Sequence, residues 1–236
     1  MKKISKLTKF GPIVTVIMAI MRIFKKTPVI IGNTNLPEKA IYISNHSAAV
    51  GPITLSLYFP SLFIPWGVHQ MTENFRARWN YLFHVFYRKQ REYGKTAAFI
   101  LSTLFAPFSK LVFVAMHVIP TYRDLRLHHT IDISIKHLDS GNSILIFPED
   151  SDDGYKEILD NYQAGFVLLA KGYLQKRNID LPIIPIYFSK KENIIIIGEV
   201  VYCKKMFEQG LNRNKIAEFF LHQTNLLYAN YLDSKS

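Results

Sequence analysis

Short runs of β-branched and apolar residues alternate along this chain with longer segments of helical periodicity. The short runs are bounded by turn-forming residues and have the length of strands. The longer segments repeat apolar residues every three or four positions, as amphipathic helices do. This alternation predicts an α/β fold in which helices flank a layered, mixed sheet. The predicted strands are 29–32, 40–44, 144–147, 183–188 and 194–197, and the predicted helices are 45–58, 76–89, 127–138, 166–173 and 216–232.

The length and composition are those of a chain with one packed core. It has 236 residues, of which 49% are hydrophobic, so a disordered chain is excluded. We assign residues 28–236 to an α/β domain and residues 1–27 to a separate N-terminal segment. Cys203 is the only cysteine and has no partner for an internal disulfide, which favours a reducing compartment. The apolar run that contains it predicts a buried, free thiol.

The N-terminal segment is both basic and apolar. An apolar run at 10–21 is flanked by basic residues, and residues 1–26 contain no acidic residue. The run is too short to span a bilayer, which takes roughly 20 residues. No small-residue cleavage site follows it, as one would after a secretory signal. The basic residues of the segment are Lys2, Lys3, Lys6, Lys9, Arg22, Lys25 and Lys26.

We predict that this segment forms an amphipathic helix in the headgroup region of an anionic membrane, at the cytoplasmic face of the cell membrane. An ordinary amphipathic helix packed on the domain would have the same pattern. The net charge of +11 is also compatible with a nucleic-acid-binding module. Basic arms that bind nucleic acid are rarely this apolar, so we expect a membrane and no nucleic acid as the partner.

A second apolar stretch covers residues 97–116 and is interrupted by Pro107 and Lys110. Proline removes a backbone donor and disfavours one straight helix. Two interpretations stay open: a buried hairpin of two helices, or a second element that dips into lipid.

Two predicted strands end in polar residues that are suited to catalysis. The strand at 40–44 is followed by Asn45 and His46, and the strand at 144–147 is followed by Pro148 and Glu149. Ligands of α/β sheets meet the protein at the carboxyl ends of the strands. Histidine exchanges protons near neutral pH, as a general base must. Alternatively, His46 is a structural hydrogen-bonding residue and Glu149 begins a solvated acidic turn at 150–153.

Four sequence blocks occur in the order known from one enzyme family. They are Ser44-Asn45-His46, residues 118–123 with the sequence Val-Ile-Pro-Thr-Tyr-Arg, residues 146–149 with the sequence Ile-Phe-Pro-Glu, and residues 183–186 with the sequence Ile-Ile-Pro-Ile. Together they resemble the motifs of the lysophospholipid (1-acylglycerol-3-phosphate) acyltransferases over roughly residues 28–200.

The resemblance implies a glycerolipid-acyltransferase-like fold and O-acyl transfer from acyl-CoA or an acyl-carrier protein to a lysophospholipid or other glycerolipid. His46 would be the general base, with Glu149 as a second catalytic residue. The substrate-binding residues would be Asn45, Arg123, Ser151 and Pro185. No cofactor or metal is implied, and His128, His129 and Asp132 are expected to form a solvated helix face.

The chain departs from the family pattern at two positions. Gly51 stands where the family has the aspartate that orients the histidine, and Asp152 stands where it has a phosphate-binding arginine. Loss of the orienting carboxylate slows a serine-protease triad by about 10⁴-fold. We therefore expect an acceptor that is neutral or cationic, or one whose phosphate is bound by Arg123 alone. The alternative function is a lipid-binding pseudoenzyme that keeps the fold without catalysis.

Overall fold

The computed structural model describes residues 4–8, 10–47, 50–149 and 156–235. It contains one seven-stranded sheet with the strand order β1-β7-β6-β2-β5-β3-β4. Neighbouring strands are parallel, except that β6 and β7 are antiparallel. The strands are β1 (Val29–Ile31), β2 (Ile41–Ser44), β3 (Phe63–Val68), β4 (Ile119–Thr121), β5 (Ser143–Ile146), β6 (Ile183–Ser189) and β7 (Ile194–Ile197).

Helices connect these strands and cover both faces of the sheet. The α-helices are α1 (Pro12–Phe24), α2 (Val50–Tyr58), α3 (Phe75–Asn80), α4 (Lys95–Ala115), α5 (Leu127–Asp139), α6 (Gly165–Arg177), α7 (Lys204–Glu208) and α8 (Arg213–Asp233). A short 3₁₀ turn, His69–Met71, follows β3, and a π-helical segment, Tyr81–Gln90, continues α3. The prediction of an α/β fold with helices flanking a mixed sheet is confirmed.

The core is divided by the sheet because side chains alternate between its two faces. Ile41 and Ile43 of β2 pack with Phe166 of α6 and Phe220 of α8. Tyr42 lies between those isoleucines in sequence and belongs to the cluster on the opposite face. All four residues of β2 are buried, so this strand is central to both layers.

Most predicted elements agree with the structure, but two strands were missed. β3 contains Pro65 and Gly67, which are typical of turns, and β4 has only three residues. The predicted helix start at position 45 is wrong, because residues 45–47 are not helical, and α2 is described from Val50. Helical spacing at 76–89 predicted a single α-helix, and the structure has α3 followed by the π-helical segment. Apolar spacing alone does not distinguish the two hydrogen-bonding patterns.

The interpretation of residues 97–116 as a buried hairpin is wrong. α4 is a single helix that continues through Pro107, and much of its surface is exposed. The buried Arg78 donates a hydrogen bond from Nε to the carbonyl oxygen of Ala106, 2.9 Å away. This contact ties α4 to α3 next to the proline.

α1 packs on the domain with one face only. Val14 and Met18 are buried in a cluster with Leu57 of α2, and Arg22 Nη2 donates to the carbonyl oxygen of Leu57 at 2.6 Å. The other side exposes apolar residues, among them Ile23. α1 therefore contacts the domain and still presents an apolar surface.

We expect Leu138→Ala to lower the free energy of unfolding by about 2–5 kcal/mol, because Leu138 is fully buried among α5, α6 and the sheet. The matched variant Leu111→Ala changes an exposed leucine of α4 and is expected to shift stability by less than about 0.5 kcal/mol. Urea unfolding measures both values. Equal losses in the two variants would contradict the assigned core.

Candidate active site

The structure places His46 and Glu149 side by side at one edge of the sheet. β2 and β5 are neighbouring parallel strands, with Ile43 paired to Ile146. Their carboxyl ends therefore meet, although His46 and Glu149 are 103 positions apart in sequence. The backbone N–H of His46 donates a hydrogen bond to Oε2 of Glu149 at 2.7 Å. The two predicted catalytic residues are thus directly connected.

The His46 side chain is half-buried at this edge. Its ring lies edge-on to the Phe147 ring, with 4.9 Å between the ring centroids. Ser47 follows with φ of 43°, in the left-handed region that a serine rarely adopts. Such backbone conformations cost about 1–3 kcal/mol and are frequent at functional sites. The imidazole is therefore held by packing and by an unusual turn, and part of it faces solvent.

Burial raises the pKa of the Glu149 carboxyl above its ordinary value of 4.5. Hydrogen bonds from the backbone N–H groups of His46 and Lys156 act in the opposite direction. The preceding turn is fixed as well, because Gln163 donates its backbone N–H to the carbonyl oxygen of Pro148 at 2.7 Å. Glu149 is therefore a fixed, half-buried carboxyl group that bonds the backbone of the histidine.

Asn45 has its side chain directed into the protein. The residue is 3% exposed. Its Nδ2 donates to the carbonyl oxygen of Phe188 at 2.9 Å, and its Oδ1 accepts from the N–H of Phe188 at 2.8 Å. The amide thus replaces a pair of strand hydrogen bonds between the end of β2 and β6. This geometry supports a role in positioning His46 rather than the predicted contact with substrate.

The other predicted substrate-binding residues lie apart from this pair. Arg123 is exposed on the loop after β4, which is three strands from β2, or roughly 14 Å at the usual strand spacing. Pro185 is buried within β6 and paired with Ile43, so a direct contact with substrate is not supported. Ser151 and Asp152 lie outside the described residues.

Gly51 is in close contact with the backbone of His46. A Cβ atom at position 51 would lie 2.3 Å from the carbonyl oxygen of His46, closer than non-bonded atoms approach. An aspartate in place of Gly51 therefore does not fit this backbone. The missing family carboxylate coincides with a tight approach of α2 to the end of β2.

The same sheet edge carries a further group of polar residues, which the sequence analysis missed. His69 follows β3 and stacks on Tyr122 after β4, with 4.7 Å between ring centroids. The His69 Nδ1 lies 3.2 Å from the carbonyl oxygen of Thr121, and its Nε2 lies 3.8 Å from Glu73. A prediction of β3 would have revealed this histidine, because it too follows the carboxyl end of a strand.

Asp132 and Cys203 also have side chains that can bind metals or react, but the structure gives both of them structural contacts. The carboxylate of Asp132 accepts from Lys176 at 2.7 Å. Within the described ranges, no group of three His, Cys, Asp or Glu residues could hold a metal ion. Cys203 is fully buried, as predicted, and burial raises the pKa of its thiol to about 12.

No protein-family model matches the chain, and no curated protein matches its sequence. The resemblance to the lysophospholipid acyltransferases therefore depends on the four short blocks. The structure places three of them on neighbouring strands: the block that ends at His46, the block that ends at Glu149, and the block at 183–186, in which Ile186 is paired with Ser44.

Replacement of Gly51 tests the contact with His46. We expect Gly51→Ala to destabilise the protein by about 1–3 kcal/mol, because the new methyl group overlaps the His46 carbonyl oxygen. Gly172→Ala is the matched helical control. Its new Cβ would lie 3.6 Å from the nearest atom of Ile131, and alanine favours the helix by about 1 kcal/mol. Thermal and urea unfolding measure both. A neutral Gly51→Ala would show that the approach of α2 is looser than described.

Glu149→Gln tests the burial of the carboxyl group. The folded-state pKa of Glu149 is raised, so its contribution to stability is fully present below its unfolded pKa and is lost as pH rises through the folded pKa. Glutamine keeps an acceptor for the His46 N–H and does not ionise. We therefore expect the wild type to lose stability relative to Glu149→Gln as the pH rises above the ordinary carboxyl pKa of 4.5, measured by urea unfolding. A difference that is constant with pH would contradict the raised pKa.

Proposed function

We propose that this protein transfers a fatty acyl group from a thioester donor, acyl-CoA or acyl-carrier protein, to a hydroxyl of a lysophospholipid or other glycerolipid. The observation that carries the proposal is the pairing of His46 and Glu149 at adjacent strand ends, 2.7 Å apart from backbone N–H to carboxylate. The histidine is half-exposed, so an acceptor can approach it. A glycerolipid-acyltransferase-like fold is part of this proposal.

In the proposed reaction, a ring nitrogen of His46 removes the proton of the acceptor hydroxyl. The oxygen attacks the carbonyl carbon of the thioester and forms a tetrahedral oxyanion. Collapse of this intermediate breaks the carbon–sulfur bond, and the protonated His46 returns the proton to the departing thiolate. The products are an ester and a free thiol, and no other reactant is consumed.

Glu149 and Asn45 act in this scheme by positioning the base. Glu149 binds the backbone of His46, and Asn45 fixes the preceding residue to β6. Neither interaction takes the place of the aspartate that orients the imidazole in the family. Phe147 supplies packing against the ring instead. Since Gly51 stands at the position of the family aspartate, we expect a slower enzyme than a typical family member.

The proposed acceptor and location follow from charge. Arg123 is exposed at the same sheet edge and is the candidate contact for a phosphate, while a neutral or cationic headgroup is the alternative. The basic, apolar N-terminal helix is proposed to lie on an anionic membrane at the cytoplasmic face, where such acceptors are found.

A second candidate function is lipid binding without catalysis. Gly51 favours it, because the site lacks the family carboxylate and has no room for it on this backbone. The pseudoenzyme would bind lysolipid or acyl-CoA, and its binding would not depend on His46.

Acyl transfer is tested with purified protein, labelled acyl-CoA or acyl-carrier protein, and a panel of lysophospholipid, neutral glycerolipid and sterol-like acceptors. We expect product formation with at least one acceptor and a loss of about 10²–10⁴-fold in His46→Ala, the usual contribution of a general base. The matched control is His222→Ala, which removes an exposed histidine of α8 and is expected to retain the rate.

Two outcomes would count against acyl transfer. Product formation that is unchanged in His46→Ala would exclude His46 as the base. Absence of product with every acceptor, together with retained lipid binding in His46→Ala, would favour the pseudoenzyme.

A further inference from the structure

α4 buries small side chains and exposes large apolar ones, which is the opposite of most helices on a protein surface. Its buried residues are Ala98, Ser102 and Ala106, a stripe of small side chains at every fourth position. Large apolar side chains cover the remaining surface, and Phe108 is 66% exposed. The exposed set includes Phe99, Ile100, Leu104, Phe105, Phe108 and Leu111.

This arrangement is unfavourable in water. A helix on a water-soluble domain buries its large apolar residues and exposes polar ones, and large contiguous apolar patches on soluble proteins mark interaction sites. Small residues at helix contacts and large apolar residues facing outward are typical of helices in lipid. The side chains of α4 are therefore arranged for an apolar surrounding.

α1 extends the same surface. Met116, at the end of α4, and its neighbour Ala115 pack with the cluster of Val14 and Met18 on α1. The exposed side of α1 carries Ile20, Ile23 and Phe24, among others. We name the exposed apolar surface of the two helices the α1–α4 face.

Charge identifies the occupant of this face. Residues 1–121, which include both helices, contain 15 lysines and arginines and three acidic residues. Residues 122–236 contain 14 lysines and arginines and 15 acidic residues. Lys95 begins α4, and Lys25 and Lys26 follow α1. The apolar face thus belongs to the strongly basic first part of the sequence, with lysines at the ends of both helices, and so complements an anionic bilayer, in which acyl chains lie below negative headgroups.

We propose that the α1–α4 face is immersed in an anionic lipid bilayer, with α4 lying along the membrane interface. By length and composition alone α4 could cross a membrane, and it is the one such helix among the described residues. Its small-residue stripe, however, packs on α3 and the π-helical segment. These contacts hold it on the surface of the domain, so it lies in the membrane plane. Lys110 lies about 100° around the helix from Leu111 and can extend its ammonium group to the headgroups.

A second copy of the chain is a poorer occupant. Association through this face would bring together two copies of a sequence region that carries 15 positive residues against three negative ones, and like charges repel. The lipid interaction does not depend on acyl transfer, because none of its residues belongs to the His46 site.

The experiment uses the full chain with His46→Ala, so that any catalysis is absent. Cys203 is buried, and a cysteine introduced at an exposed position is therefore labelled selectively. Ile100→Cys, Leu104→Cys and Leu111→Cys, at exposed positions on one side of α4, each receive an environment-sensitive fluorophore. Ile179→Cys, at an exposed apolar position after α6, is the control. Vesicles contain equimolar phosphatidylcholine and phosphatidylglycerol.

We expect blue-shifted emission of similar size at positions 100, 104 and 111 when vesicles are added, and no shift at position 179. In co-sedimentation, Leu104→Ser/Phe108→Ser should reduce the vesicle partition coefficient by about tenfold or more, since two apolar side chains no longer enter lipid. The matched double variant Ile158→Ser/Ile179→Ser, also at exposed apolar positions, should retain it. Vesicles of phosphatidylcholine alone should bind less protein.

Three results would overturn the proposal. Unshifted emission at all three α4 positions would exclude immersion of the helix. A maximum at position 104, with little shift at the two other positions, would indicate a helix that crosses the bilayer. A lipid-free dimer that is lost in Leu104→Ser/Phe108→Ser, with vesicle binding unchanged, would identify the face as a contact between two copies.

Discussion

Parallel hydrogen bonding between β2 and β5 is the interaction on which the candidate site depends. The pairing of Ile43 with Ile146 aligns the two strand ends and brings His46 next to Glu149. The strands are buried on both faces, so slippage by one residue would turn every side chain to the wrong layer. The register that stabilises the core therefore also fixes the geometry of the site.

Backbone contacts, more than side-chain contacts, define the surroundings of His46. Glu149 accepts its N–H, Asn45 bonds β6 in the place of a strand residue, and Gly51 approaches its carbonyl oxygen closely. Together they determine where the chain leaves the sheet and how the imidazole projects from it. The departure from the family pattern at position 51 thus has a packing explanation.

The proposed activity and the proposed membrane surface are consistent with each other, although they depend on different residues. α1 packs on α2 through Leu57, and α2 begins close to His46. α1 also contacts the end of α4. The helices that would enter the bilayer are therefore connected to the candidate site through the packing of α1 on α2. The same arrangement would serve a lipid-binding protein without catalysis.

The sequence by itself determined the fold class, the central strands and the presence of polar residues at two strand ends, because apolar periodicity and turn residues are local signals. It did not determine β3, in which Pro65 and Gly67 conceal a strand, or the continuity of α4 through Pro107. Only the tertiary structure decided that Glu149 bonds the backbone of His46 and that Asn45 bonds β6. These contacts join segments more than a hundred residues apart, and such distances are set by how the strands pair.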